Sequence, residues 1–386
     1  MSDEPIRFQR PQFPSSGEIE RHFAASRDAR WFSNSGPCHG LLSDGLERYL
    51  SDGCTAALMS SATTGLMLAL RALVPARPPG RLVIAPSFTF PATAEAIAWN
   101  GLEPLWVDIE RDGWHLDPEQ LAGALQAHRG AVAAVLACST FGTAPPREQS
   151  DAWRDLCRRH GVPLIVDSAA GFGSRDENGD YLGGQGDAEV FSFHATKPFA
   201  IGEGGAVSSA DGDLAERLRS LANFGFARDR EIDPAVGMNA KMSELHCAVG
   251  LAVLSGFDSV LQARRDRAER LRPGLEAAGF TFQAGAGGSA WQFVPVLAPS
   301  RAVGERVLER SHNRMIEIRR YHHPLHLVPA FSMHRARGTL PVTEDLAGRS
   351  LSLPMANDLS EQAIERILDL MTGASASAAA EGAVLR

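Results

Sequence analysis

The chain has 386 residues, long enough for a large core and for two domains or one large domain with an appendage. Hydrophobic residues make up 44% and charged residues 22%, an ordinary globular balance, and a net charge of −8 with no basic run excludes a nucleic-acid surface. Five cysteines (Cys38, Cys54, Cys138, Cys157, Cys247) without C-x-x-C spacing argue against a disulfide framework or a zinc site and predict reduced thiols in a cytoplasm, while no stretch reaches the ~18 apolar residues of a membrane helix and no signal-like region opens the chain.

Residues 1–16, rich in Pro, Gln and Arg, read as an extended arm. Helices are predicted over Gly17–Asp28 and Asp44–Ser51, on either side of the loop Ser33-Asn34-Ser35-Gly36-Pro37. Next, Ser60, Ser61, Thr63 and Thr64 stand where a helix starts, and Gly65-Leu-Met-Leu-Ala-Leu-Arg-Ala-Leu continues it. Free amides and the helix dipole make such a start a phosphate site, though a plain N-cap explains the same residues. The absence of a Walker lysine excludes a nucleotide-triphosphate loop.

Leu82–Ala85 is a buried strand, Ala92–Trp99 a helix and Pro104–Asp108 a second strand. This alternation predicts a parallel sheet. Phe90 falls in the loop at a strand's carboxyl end, where ligands of open α/β sheets bind, or else it is a core aromatic. Ala131–Ala137 is a third strand, Asp151–His160 a helix, and Pro163–Asp167 an apolar strand ending in an acid. A carboxylate there is costly without a cationic partner, or serves as a helix cap or structural ion pair. Asn178-Gly179 marks a hairpin. Then Val190–Phe193 alternates as a strand and ends in a polar turn with one lysine, Lys197, followed by Gly202-Glu203-Gly204-Gly205. A lysine desolvated at a strand end is a nucleophile toward carbonyls.

Beyond it, Gly205–Ser209 is a strand, Asp211–Asn223 a helix, and Gly237-Met-Asn-Ala-Lys-Met-Ser-Glu-Leu opens a helix to about Leu254. From Phe257 the composition changes. Asp258–Ala278 is an Arg-rich solvated helix, Trp291–Ala298 a strand and Arg301–His312 a helix, which suit a smaller α+β domain. His322, His323 and His326 are close together, but with no acidic partner at fixed spacing they do not make a metal site, and none is predicted. Residues 374–386, of low complexity, read as a flexible tail.

The stretch Phe191–Val207, FSFHATKPFAIGEGGAV, resembles the Schiff-base segment of the DegT/DnrJ/EryC1/StrS aminotransferases, S-F-H-x-T-K followed by G-E-G-G. Asn34–Pro37 resembles their N-x-G-P, Gly237–Glu244 their G-x-N-[AFY]-[KR]-M-S-E, Tyr321–Phe331 their Y-x-x-P-L-H-L-x-P-A-F, and the segments at Thr343 and Arg349 their T-E and R-x-L-S-L-P. The resemblance runs from about Asn34 to Pro354. It implies a pyridoxal phosphate (PLP) enzyme of fold type I: an α/β large domain over 34–256 with a mostly parallel helix-flanked sheet, an arm and helix over 1–33, and a smaller α+β domain over 257–373.

The same resemblance implies roles for single residues. Lys197 holds PLP and moves the proton. Asp167 pairs with the pyridine nitrogen, Ala62 and Thr63 grip the phosphate, and Phe90 stacks on the ring. Ser192 completes the cofactor set, with Asn239 reaching the phosphate in a neighbouring subunit. Lys241 and His326 contact substrate. The implied reaction carries an amino group from an amino acid, L-glutamate by analogy, to a keto-sugar on a nucleotide, in a homodimer with shared sites, without nucleic-acid or membrane partners. A cyclitol or amino-benzoate aminotransferase and a non-catalytic PLP-binding regulator are the alternatives; a dehydratase is disfavoured by Lys197. Two departures stand out. Ala170 occupies the fourth position of D-x-A-[QH], whose side chain meets the cofactor hydroxyl, and Ser139 stands where a histidine is common.

Overall fold

The structure, a computed structural model, describes residues 4–33, 35–75, 78–226, 231–233, 235–331 and 339–384, with side chains as far as 376. In chain order the elements are α1 (Ser16–Asp28), α2 (Pro37–Glu47), β1 (Thr55–Met59), α3 (Ala62–Leu73), β2 (Leu82–Pro86), α4 (Pro91–Trp99), β3 (Glu103–Val107), α5 (Pro118–Ala127), β4 (Val132–Cys138), α6 (Arg147–His160), β5 (Leu164–Asp167), β6 (Ala188–Ser192), β7 (Gly205–Ser209), α7 (Gly212–Ala222), α8 (Glu244–Leu254), α9 (Phe257–Ala277), β8 (Thr281–Phe282), β9 (Val294–Leu297), α10 (Arg301–Asn313), α11 (Pro341–Arg349), β10 (Ser350–Leu353) and α12 (Glu361–Val384).

The large sheet has seven strands in the order β1-β7-β6-β5-β4-β2-β3. From β6 to β3 neighbouring strands are parallel; β7 runs antiparallel to β6 and β1 antiparallel to β7. The strands β2, β4, β5 and β6 are buried along their whole length, as parallel strands covered on both faces must be. One face packs on α3, α4 and α7 through Leu66, Leu70, Ile97 and Leu218; the other packs on α2 and α8 through Leu42, Leu46 and Val249. This is the mostly parallel α/β architecture that the alternation predicts. A three-stranded antiparallel sheet, β10-β9-β8, builds a separate core with α9, α10 and α12 around Leu271, Val296, Val307 and Ile367. No single helix is long and apolar enough to cross a membrane, among the described residues.

Several boundaries differ from the sequence reading for identifiable reasons. The helix expected over Asp44–Ser51 is α2, which starts at Pro37: proline is favoured at a first helical position, and the buried Glu244 carboxylate accepts the amides of Cys38 (2.7 Å) and His39 (3.0 Å). The helix expected from Gly237 starts only at Glu244, with Ser243 as its N-cap. Residues 237–241 are instead extended, with Met238 N–H donating to Leu221 and Asn239 bridged to Asn223. The expected tail after Ala374 continues α12 as far as Val384, since alanine is the best helix former and Ala374 is fully buried. Asn34, the first residue of the N-x-G-P segment, lies outside the described residues.

The amino-terminal arm is not free-standing. Ile6 belongs to the core of the three-stranded sheet and bridges Ile316; Gln9 bridges Met355; Phe8 is fully buried.

Candidate active site

Parallel strands deliver their carboxyl ends to one edge of the sheet. The loops after β2, β4, β5 and β6 therefore converge, and they enclose a cavity of about 390 Å³. The antiparallel β7 begins at that edge, with Gly205 paired to Ser192. Gly205 has to be glycine: a Cβ there would stand 2.7 Å from the Ala62 nitrogen. This close approach brings the start of α3 against the end of β6. Ser61 caps α3 through the Thr64 amide (3.1 Å), so Ala62 and Thr63 present the first helical amides at the cavity wall. Ser192 lines the same cavity, its hydroxyl accepting the His194 amide at 3.3 Å.

Asp167 ends β5 and is almost wholly buried. Its Oδ2 accepts the Thr93 hydroxyl (2.7 Å) and its Oδ1 the Ala169 amide (3.1 Å). Burial pushes its pKa up, opposed by those two bonds and by Lys197. Lys197 donates to Gln292 Oε1 at 3.0 Å, a neutral partner, and Gln292 also reaches Thr196. Burial lowers the lysine pKa from 10.5 to about 8, with Asp167 and Cys138 pulling the other way. An amine of that pKa has a substantial neutral fraction near neutrality, which both nucleophilic attack and proton transfer need. Phe90, the residue before α4, is 57% exposed and forms part of the wall, with Ala169 and Ala170 also lining the cavity.

Of the residues singled out in the sequence, Lys197, Asp167, Ala62, Thr63, Phe90 and Ser192 line this one cavity. The other three do not. His326 is held outside it: its Nδ1 and its backbone amide both bond to Ser87 Oγ, at 2.6 and 3.0 Å, and its Nε2 faces Glu344 at 3.3 Å. Asn239 is exposed, and its Oδ1 accepts Lys241 Nζ at 2.7 Å; that ammonium also sits 4.5 Å from the Phe224 ring centroid. Among the described residues no three His, Cys, Asp or Glu side chains are grouped to hold a metal ion.

Sequence reasoning did not pick out Gln292, Thr93, Gln9, Arg319, Tyr321 or His322. Gln292 follows Trp291, whose φ is 55°, and no motif announces its place in the cavity wall. Gln9 reaches the Thr196 carbonyl from the arm (3.4 Å). Arg319 and Tyr321 bond to each other (3.1 Å), and Arg319 also covers the Phe8 ring. The three adjacent histidines were visible, but nothing in the sequence ranked His322 above His326.

The residues present fit a cofactor with an aldehyde, a ring nitrogen and a phosphate: a lysine of lowered pKa, a buried carboxylate and a helix start, all open to one cavity. A model described as the DegT/DnrJ/EryC1/StrS aminotransferase family matches residues 15–372. Protein Rv3402c of Mycobacterium tuberculosis is 35% identical over 367 residues, covering 94% of this chain and 88% of that protein. A dTDP-4-amino-4,6-dideoxy-D-glucose transaminase of Shigella dysenteriae is 29% identical over 374 residues, 95% of this chain and 98% of the relative. The crystal structure of DesI in the presence of its TDP-sugar product matches with a TM-score of 0.86 at 33% identity, over 98% of this chain and 96% of that one.

Proposed function

This chain belongs to the DegT/DnrJ/EryC1/StrS aminotransferase family and is a PLP-dependent aminotransferase, and from that premise we propose that it moves an amino group from L-glutamate to the ketone of a nucleotide-linked sugar. The observation that carries the reading is Lys197, buried at a strand's carboxyl end with a pKa near 8, in one cavity with Asp167 and the start of α3. The acceptor class is supported by the nucleotide-sugar names of the relatives. Arg319, in the wall of the same cavity, offers a cation to an anionic substrate.

When bound, PLP supplies an aldehyde carbon for the amino group and a ring that withdraws electrons. The α3 amides of Ala62 and Thr63, with the Ser192 hydroxyl, would hold its phosphate. Asp167 would keep a positive charge on the ring nitrogen, and Phe90 would cover the ring. Neutral Lys197 Nζ takes a proton from the amino acid's α-carbon; as ammonium, it gives the proton back on the other side of the exchange. The buried wall of Phe141, Phe293 and Leu66 keeps water from competing for that proton.

Borohydride reduction of the PLP-loaded protein, followed by peptide mapping, should place the label on Lys197. L-glutamate should then yield one equivalent of 2-oxoglutarate per site, and the resulting enzyme should aminate a member of a panel of keto-sugar nucleotides. A label on another residue, or no 2-oxoglutarate, overturns the reading.

Asn239 and Lys241 stand outside their own chain's cavity, beside exposed Phe224, Phe226, Ile232 and Val236. An apolar patch of this kind beside polar motif residues supports a homodimer in which Asn239 serves the partner's site. Lys197→Ala and Asn239→Asp, each nearly inactive alone, should regain about a quarter of wild-type activity when unfolded and refolded together. Half of randomly paired dimers are mixed, and each mixed dimer has one site free of both lesions. Recovery no greater than the sum of the parents, with mixed dimers demonstrated, excludes the shared site.

A further inference from the structure

Of the three clustered histidines, His323 is exposed and His326 is engaged by Ser87 and Glu344. His322 is different. Its ring stacks on Phe141, with centroids 4.8 Å apart and planes 10° apart, and stands edge-on to Phe88 at 5.6 Å. It lines the cavity that holds Lys197. Neither of its ring nitrogens has a hydrogen-bond partner among the described residues. The residue is half-buried, and a neutral imidazole carries one donor and one acceptor that are free to meet a group placed in the cavity. The wall keeps this ring neutral: burial, and then the charge of Lys197, lowers its pKa to about 3.

The same wall contains Ala170. Gly142, next to Phe141, packs so closely on it that a Cβ would stand 2.2 Å from the Ala170 carbonyl oxygen. His322, Phe141 and Ala170 thus share one wall of the cavity, near enough to Lys197 for its charge to act on the His322 ring, and Ala170 brings no polar side chain to it. Asp167 lies at the end of β5, bonded to Thr93 and the Ala169 amide. In PLP the ring hydroxyl is adjacent to the aldehyde carbon that a lysine attacks, and the ring nitrogen is opposite. A cofactor anchored by Lys197 and Asp167 therefore turns its hydroxyl oxygen to the lysine side. We propose that His322 donates a hydrogen bond to that oxygen, the contact Ala170 cannot make. The inference rests on the reading that Lys197 carries PLP.

The test is spectroscopic and independent of turnover. The absorbance of the lysine-bound cofactor is titrated with pH in wild type, His322→Phe and His322→Gln. The ring oxygen is more exposed as an anion once the Schiff-base proton leaves, so a donor to it favours proton loss. His322→Phe keeps the stacking on Phe141 and removes the donor; the chromophore's pKa should rise by about one unit, a tenfold gain in proton affinity, and cofactor binding should weaken several-fold. His322→Gln, which retains an N–H, should shift it less, and Ala170→Gln in the His322→Phe background should bring it back down. In wild type, adding PLP should move the ring ¹⁵N resonances of His322, a readout that needs no variant to fold. If His322→Phe binds PLP with the wild-type chromophore pKa, or if PLP leaves the His322 resonances unmoved, the proposal is overturned while the cofactor reading stands. A wild-type protein that forms no lysine-bound chromophore overturns both.

Discussion

Asp167 and Glu189 are two buried carboxylates on neighbouring strands, one register step apart: Val166 faces Glu189 and Asp167 faces Val190. They point to opposite faces of the sheet, because side chains alternate along a strand. Burial raises both pKa values. The difference lies in how each is repaid. Glu189 accepts the amides of Gly183 (2.8 Å) and Gln185 (3.1 Å) and the Ser168 hydroxyl, so the scaffold completes it. Among the described residues Asp167 receives only Thr93 and Ala169, and it lines an open cavity. The same side-chain chemistry at the same depth is finished in one place and left incomplete in the other, and the incomplete one is where a cation can be held.

Substitutions should separate the two. The largest effect is expected for Asp167→Asn, a loss of at least about 100-fold in turnover, because one charged pair in a dry site is worth a few kcal/mol. The cofactor-free variant should keep its stability to within about 1 kcal/mol, since the amide oxygen and N–H can still bond Ala169 and Thr93. Near-normal turnover would place Asp167 with Glu189 as scaffold. Glu189→Ala should do the reverse. It leaves the Gly183 and Gln185 amides without an acceptor, while the Ser168 hydroxyl keeps Ser139 at 2.8 Å, and should cost about 2–4 kcal/mol in denaturant unfolding, with kcat within a few-fold of wild type among folded molecules. Thr93→Val removes one of the two bonds that hold Asp167 ionised, and should lower kcat by about three- to tenfold with less loss of stability than Glu189→Ala. The smallest effect is on pH dependence. With folded pKa values raised, the native protein keeps protons that the unfolded chain has released, so these carboxyls make stability fall as pH rises from the ordinary carboxylate value through the raised one. In cofactor-free Asp167→Asn, denaturant midpoints measured across that window should decline less steeply than in wild type; an identical slope would mean that Asp167 is not the strained group.

The sequence exposes Asp167 because an acid closing an apolar strand is conspicuous; Glu189 sits inside such a strand and does not stand out, its donors coming from Ser168 and from the turn just ahead of β6. Lys197, Phe90 and the start of α3 were legible for the same local reason: each follows a strand or opens a helix, and strand ends share an edge in a parallel sheet. What local pattern could not supply was the far wall. Gln292, Arg319 and His322 come from the three-stranded sheet and its flanking loops, and only tertiary packing brings them to the cavity. His326 was favoured over His322 because it falls in the recognisable P-L-H; yet Ser87 occupies two of its donor or acceptor groups. The boundaries of α2 and α8 were missed together, since the residue that starts one, Glu244, is the first residue of the other.

The arm that carries Gln9 into the cavity has a consequence for how the molecule is made. Ile6 pairs with Ile316, Gln9 pairs with Met355, and Arg7 meets Glu317 across a separation of 310 residues. Closing so long a loop costs little more than closing one of half the length, about 0.6 kcal/mol per doubling, so the finished protein tolerates the arrangement. The order of synthesis does not. Residues 6–9 have no partner until residues 316–355 have followed them from the ribosome, and the large sheet can form before its own doorway exists. A fusion placed ahead of Ile6 is therefore carried toward the mouth of the cavity as the arm docks.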